Sequence, residues 1–375
     1  MFRLITFIFV SCVLALLFQN SAYYEEPYIG EKNGWKGVNG SGIFSVILVI
    51  YWIIFAGTRT QYNDTWAYMK GFMYDAGIGI DGISQIQWTL GENPGFWIYQ
   101  VIIKTVFGSN ANIFLLITAA IVYCSFLKFY KRYSSDFSLT VYIFITSTAF
   151  FFTLGAMKQI IAMAIGVWAL PCALEKKWIK FGILIAIAML FHPYVILFVC
   201  IPFICDRVWN LKTFLIIFAT IVVGYSFQAV LGTVMEVTSS IGDDYSQVYL
   251  ESEAVNIFRL AVYLVPVVLS FFVRHEINED NNVFYLSCIN LSLISAMFML
   301  LASFGGAVFM GRVSNYFLPF TMISIPYIIQ QYPVSVAKTL KYLCVICYGL
   351  FWLYYYRSIP WNYDMLGHIS VFRIF

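Results

Sequence analysis

Charge is scarce in this chain. Asp, Glu, Lys and Arg make up only 11% of its 375 residues, against 61% hydrophobic residues, and the mean hydropathy is +0.80. A soluble globule of this size needs far more polar surface, so the composition excludes one and indicates an integral membrane protein. A net charge of +3, with the basic residues in separate short loops, is too small to indicate nucleic acid, and no such partner is expected. Cysteines 12, 124, 172, 200, 205, 288, 344 and 347 all fall within or beside apolar stretches, which speaks against a disulfide framework or a zinc site. Cys344 and Cys347 have C-x-x-C spacing, but inside a membrane helix they read as packing residues. No Walker loop, G-x-S-x-G elbow, H-E-x-x-H or EF-hand pattern occurs. The acidic run Gly242-Asp243-Asp244 lacks supporting ligand spacing. Neither a metal site nor a cofactor is expected.

What the sequence does have is apolar runs of roughly 15–22 residues, recurring from end to end, each near the length that crosses about 30 Å of hydrocarbon as a helix. The expected spans are 4–19, 43–57, 112–130, 137–155, 157–174, 178–192, 193–206, 211–232, 256–274, 283–303, 316–331 and 339–356. The expected fold is therefore all-α, a polytopic membrane helical bundle of about twelve transmembrane helices in a single domain, 1–375. After Pro94 the stretch "GFWIYQVIIKTVFG" is short and interrupted by Lys104, and reads as an interfacial or re-entrant helix.

Basic residues in short loops set the orientation. Placing Lys32/Lys36, Lys128/Lys131/Arg132, Lys176/Lys177/Lys180, Arg207/Lys212, Arg274 and Lys338/Lys341 inside leaves nine basic residues on the other face, among them Arg59, Lys158, Arg259 and Arg312. Arg3 ahead of "LITFIFVSCVLALLF" runs against this arrangement, because segment 1–22 also has the form of a signal peptide. With the majority orientation the outer face owns the long polar segments 58–111 and 233–255, so the chemistry is expected outside.

Several outer groups have two readings each. In "GTRTQYNDTWAYMKGF", a helix would put Asp64, Tyr68 and Phe72 on one face with Arg59 just upstream. Arg59 and Asp64 then either cap the span as an ion pair or belong to a site. Trp66, Tyr74, Trp88 and Trp97 suit an interfacial aromatic belt or sugar rings. Lys158 and Gln159 open a helix inside "FFFTLGAMKQIIAMAIGVW". A cation at a helix N-terminus is electrostatically uphill unless it snorkels or meets an anion. His192-Pro193 joins two short spans without a polar spacer, so His192 either caps a turn or floors an outward cavity. Arg312 is a snorkelling residue or a site cation, and Arg259 has Glu251 and Glu253 nearby to neutralise it.

In these residues the chain resembles the EpsG-type branch of the bacterial Wzy-like polysaccharide polymerases. The likeness covers most of the chain and rests on the order of "TRTQYNDTWAY", "ENPGFWIYQVI", "MKQIIAMAI", "FHPY" and "GRVSNYF". The family more often has arginine where Lys158 stands, commonly a glycine near Asn63, and a small polar residue in place of Pro193. The resemblance implies a multi-pass protein of the bacterial cytoplasmic membrane whose active site faces outward. It implies the joining of undecaprenyl-diphosphate-linked oligosaccharide repeat units into a capsule, exopolysaccharide or O-antigen; no divalent metal is expected, because cationic side chains supply the leaving-group charge and no ligand cluster accompanies the carboxylates. Lipid-linked oligosaccharides are the implied partners, with the flippase and chain-length regulator of the same pathway as candidates. On this reading Arg59, Tyr68, Lys158, Gln159 and Arg312 bind substrate, Lys158, Arg59 and Arg312 holding the diphosphate. His192 is the expected general base, with Asp64 as its rival. Two readings remain beside it: another lipid-phosphosugar glycosyltransferase or O-antigen ligase, and a polysaccharide exporter or flippase, although no internal repeat of the transporter kind is found.

Overall fold

The computed structural model describes residues 2–23, 39–40, 42–59, 62–227, 233, 236–237 and 252–357. Lys32, Lys36, the Gly242-Asp243-Asp244 run, Glu251 and most of the polar segment 233–255 lie outside the described residues. The described chain is helical almost throughout. In order it forms α1 (Phe2–Ser21), α2 (Ile43–Gly57), α3 (Thr65–Lys70, continued as a π turn to Asp75), α4 (Gly79–Ser84), α5 (Pro94–Phe107) and α6 (Ala111–Tyr133). Then come α7 (Phe137–Thr146), α8 (Thr148–Gly155), α9 (Met157–Gly166), α10 (Ala169–Leu174), α11 (Trp178–Met189), a 3-10 segment Pro193–Phe203, and α12 (Leu211–Tyr225). The last part holds α13 (Ile257–Phe272), α14 (Arg274–Asp280), α15 (Val283–Leu301), α16 (Ala307–Asn315), α17 (Leu318–Gln330) and α18 (Val334–Arg357). A two-residue antiparallel pairing, Ala22 with Gly40 and Tyr23 with Asn39, joins the ends of the α1–α2 connection.

Five helical stretches are long and apolar enough to cross a membrane, Leu4–Ser21, Ala111–Tyr133, Met157–Leu174, Val283–Leu301 and Val334–Tyr356, and two bent pairs bring the number to seven if each pair is one span. Each of the other expected spans overlaps a shorter apolar helix, 43–57, 178–189, 193–203, 211–225 or 318–330. The apolar runs become helices because hydrocarbon leaves backbone groups no partner outside their own segment. Polar residues mark the ends. Asn110, Asp136, Ser147, Asn210 and Asn256 each accept a backbone N–H from the first turn of the helix they precede.

One expected span is not straight. The run 137–155 bends by 60° between α7 and α8. Ser147 adopts extended backbone and its hydroxyl accepts from Ala149 N–H, so a new helix starts in the middle of an apolar run. The Pro94 helix is present as α5, and Lys104 is not at its surface. Lys104 is buried and its Nζ donates to the carbonyls of Met73 (2.9 Å) and Ala76 (2.5 Å), tying α5 to the turn that follows α3.

The bundle is joined by aromatic and small-residue contacts, since lipid removes the hydrophobic drive between helices and leaves packing to hold them. Trp52 of α2 is fully buried, lies 5.2 Å from Phe144 and donates its indole N–H to Ser11 of α1. Gly57 of α2 lies so close to α6 that a Cβ there would come within 2.5 Å of Leu116 Cδ2. The far end of α6 meets the start of α7, where Asp136 receives Lys341 of α18 in an ion pair. Two short elements then flank the candidate site. The 12 residues of α11 span about 18 Å. The 11 residues of the 3-10 segment span about 22 Å. Neither reaches 30 Å, and His192 stands where they meet.

Candidate active site

Five helix ends and the turns beside them come together around Asp64, Phe96, Lys158, His192 and Arg312. Between α2 and α3 the chain turns at Asn63, whose φ of +46° is a left-handed conformation that glycine and asparagine tolerate best. The turn lies against the end of α8, where a Cβ on Gly155 would come within 3.0 Å of Asn63 Nδ2. Asp64 follows at the entrance to α3, and its backbone carbonyl accepts from Tyr68 N–H at 3.1 Å, so the expected helical spacing of Asp64 and Tyr68 is present.

The expected pairing of Asp64 with Arg59 is not. Asp64 Oδ2 lies 3.7 Å from Arg312 Nη2 instead. Arg59 is 3% exposed and points into the bundle, where Nε donates to Thr65 Oγ1 (3.1 Å) and Nη1 to the carbonyl of Ala56 (2.6 Å). Its Nη2 is buried without a hydrogen-bond partner among the described residues. Thr65 Oγ1 also donates to Tyr62 and Leu154 carbonyls, so Arg59 holds the turn from behind rather than flanking Asp64. The reason is geometric: Ala56 lies buried in the last turn of α2, and the guanidinium reaches back to its carbonyl, one of those the helix leaves free.

Lys158 and Gln159 occupy the first turn of α9, as expected. Lys158 Nζ sits 5.8 Å from the centre of the Phe96 ring, a cation–π contact. The same ring meets Tyr68 edge-on at 5.6 Å. Gln159 is buried and donates from Nε2 to the carbonyl of Arg312 at 2.6 Å, while its Oε1 has no hydrogen bond among the described residues. Arg312 is thereby fixed twice, its backbone by α9 and its side chain by Asp64. Arg259 lies behind it, with Nη2 3.4 Å from where a Gly311 Cβ would stand and with Nε buried and unpartnered. Glu253, one of the two carboxylates expected to neutralise Arg259, is exposed.

His192 precedes the 3-10 segment in extended backbone. Its Nδ1 lies 2.5 Å from the hydroxyl of Tyr316, one residue beyond α16, and its ring is 5.5 Å from Tyr194. Both Arg312 and Lys158 act on it electrostatically. The turn before it is held by α5, because Gly95 N–H donates to the Leu190 carbonyl at 2.8 Å.

The expected residues Asp64, Tyr68, Lys158, Gln159, His192 and Arg312 thus form one connected group, while Arg59 stands behind it. Sequence reasoning missed Tyr316 and the central place of Phe96. Arg312 and Tyr316 are four apart, the same face-sharing interval as Asp64 and Tyr68, and that interval was the available signal. Among the described residues no three of His, Cys, Asp and Glu gather as a metal-binding group. The arrangement can hold an anion with two cations and exchange a proton through a carboxylate or an imidazole.

Compared with known proteins, residues 42–365, most of the chain, match the EpsG family. No curated protein and no solved structure matches.

Proposed function

The chain belongs to the EpsG family, and from that premise we propose that it polymerises undecaprenyl-diphosphate-linked oligosaccharide repeat units on the outer face of the bacterial cytoplasmic membrane. Twelve of its helical segments cross the bilayer as a single domain, with α5 at or re-entering the outer surface, and the site opens outward. The observation that carries the reading is the meeting of Lys158, Arg312, Asp64 and His192 from four separated stretches. Two cations suit a diphosphate leaving group, and a carboxylate with an imidazole suits the proton of an attacking hydroxyl. Tyr68 and Gln159 support the substrate side of the pocket, and Arg59 secures the Asp64 turn. Side-chain charge takes the place of a divalent metal, and the flippase and chain-length regulator of the pathway are the candidate partners.

The test is the lipid-linked glycan that accumulates when the protein is absent. A single repeat unit on the lipid is expected, with polymer restored by purified protein in the presence of EDTA. Accumulation of finished polymer on the lipid overturns the reading in favour of a ligase or an exporter. Loss of activity in EDTA with rescue by magnesium or manganese overturns the metal-free chemistry.

A further inference from the structure

The Tyr316 hydroxyl and His192 Nδ1 are 2.5 Å apart, and the group that carries the bridging hydrogen decides what the rest of the imidazole can do. Neutral imidazole has one N–H and one lone pair. If Nδ1 donates to the phenol, Nε2 keeps a lone pair and can take a proton. If the phenol donates to Nδ1, Nε2 carries the hydrogen and presents a donor.

The surroundings of Tyr316 separate these cases. Its side chain is 1% exposed, and among the described residues its hydroxyl has no hydrogen-bond partner except His192. Were Nδ1 the donor, the phenolic O–H would be buried with no acceptor, a penalty that disfavours that tautomer by roughly tenfold or more. With the phenol as donor, both groups are satisfied, and the second imidazole nitrogen is left to carry its hydrogen toward whatever occupies the site. His192 lies within electrostatic reach of Arg312 and Lys158, so a hydrogen on Nε2 offers a third donor to a site suited to an anion.

We propose that Tyr316 holds His192 with its hydrogen on Nε2, making His192 a hydrogen-bond donor to the departing diphosphate and leaving Asp64 as the base. This rests on the polymerase reading above. In the transfer step the acceptor hydroxyl oxygen bonds to the anomeric carbon of the growing glycan. The bond from that carbon to the diphosphate oxygen breaks, and its electron pair leaves with undecaprenyl diphosphate. The hydroxyl proton passes to the Asp64 carboxylate and then to water, and the Nε2 hydrogen stays on His192. Asp64 is placed for this: its side chain is 40% exposed and makes no capping bond to α3. Tyr316 touches no reactant and acts as a positioning residue.

The chain has three histidines, which makes the tautomer directly readable. Full-length protein labelled with 15N in its imidazoles, carrying His275→Gln and His368→Gln, reports His192 alone. The expected spectrum shows hydrogen on Nε2 and a bare Nδ1, with the preference lost in Tyr316→Phe. Hydrogen on Nδ1, in the other tautomer or in the imidazolium, overturns the assignment. This readout needs no turnover, so a protein that makes no polymer but shows the Nε2 hydrogen refutes the polymerase reading and not the tautomer. In the polymerisation assay His192→Gln, which retains an N–H donor, should stay within about tenfold of wild type, while Asp64→Asn falls by about 10²–10⁴-fold. The reverse pattern overturns Asp64 as the base.

Discussion

Replacing Gly95 with alanine should disturb the site from a distance, and the structure gives the size of the disturbance. Gly95 opens α5 with its N–H on the Leu190 carbonyl, and an added Cβ would stand 2.7 Å from Leu190 Cβ and 3.0 Å from both its carbonyl carbon and oxygen. Carbon atoms settle at about 3.5–4.0 Å, so α5 and the turn must separate by roughly 1 Å. Much of the obstruction is backbone, and no rotamer change relieves it. Forcing a methyl into such a contact costs about 1–3 kcal/mol. The displaced parts are Phe96, which lies under Lys158, and the turn that carries His192. A misplacement of about 1 Å in a reacting constellation lowers turnover by roughly 10²-fold. Gly95→Ala should therefore lower the melting temperature in detergent by a few degrees and lower polymer synthesis far more than stability alone predicts. Gly182→Ala, in the exposed face of α11 with nothing within 4 Å, is the control: it should leave polymer unchanged and the melting temperature unchanged or slightly raised, since alanine is the better helix former. A Gly95→Ala protein with wild-type melting and wild-type polymer would show that α5 does not position the His192 turn.

Arg312→Ala should remain folded in the membrane, since its pair with Asp64 is partly exposed and contributes little to stability, yet make no polymer. Lys158→Arg should be tolerated, and normal polymer in Arg312→Ala would remove the diphosphate role. At the opposite end of α6, burial raises the Asp136 carboxyl, but hydrogen bonds from Lys341 and Leu139 N–H outweigh it and hold the group below its ordinary range. A depressed folded value means that the stabilisation is present above about pH 4 and is lost as pH falls further, through the folded value. Asp136→Asn should flatten the decline of melting temperature between about pH 5 and pH 3, and an unchanged decline would show that another group controls acid sensitivity.

The helices were legible because hydrocarbon forces apolar segments to satisfy their own backbone, which ties a run such as 112–130 to α6 almost directly. The bend at Ser147 was not, because Thr146-Ser147-Thr148 are small, uncharged residues that helices also carry, and the apolar residues on both sides read as one span. Lys158, Gln159 and His192 were legible as polar residues in places where only a turn or a ligand tolerates them. The partner of Asp64 was not legible. Arg59 is its neighbour in sequence, but the free carbonyls at the end of α2 compete for that guanidinium, and Arg312 arrives from a helix far along the chain. Tyr316 was hidden for a related reason: its bond to His192 crosses 124 positions, and a tyrosine in an aromatic-rich membrane protein attracts no notice.

The distance along the chain between these parts also fixes when the site comes into being. Gln159 and the Arg312 carbonyl that it holds are 153 positions apart. A chain synthesised and inserted from its N-terminus therefore exposes Asp64, Lys158 and His192 long before α16 arrives with Arg312 and Tyr316. Until then the carboxylate has no cation and the imidazole no phenol, so the nascent protein sits in the membrane without the assembled cluster. The cluster is complete only as the last few helices are inserted, and any product of premature termination before residue 307 lacks both Arg312 and Tyr316.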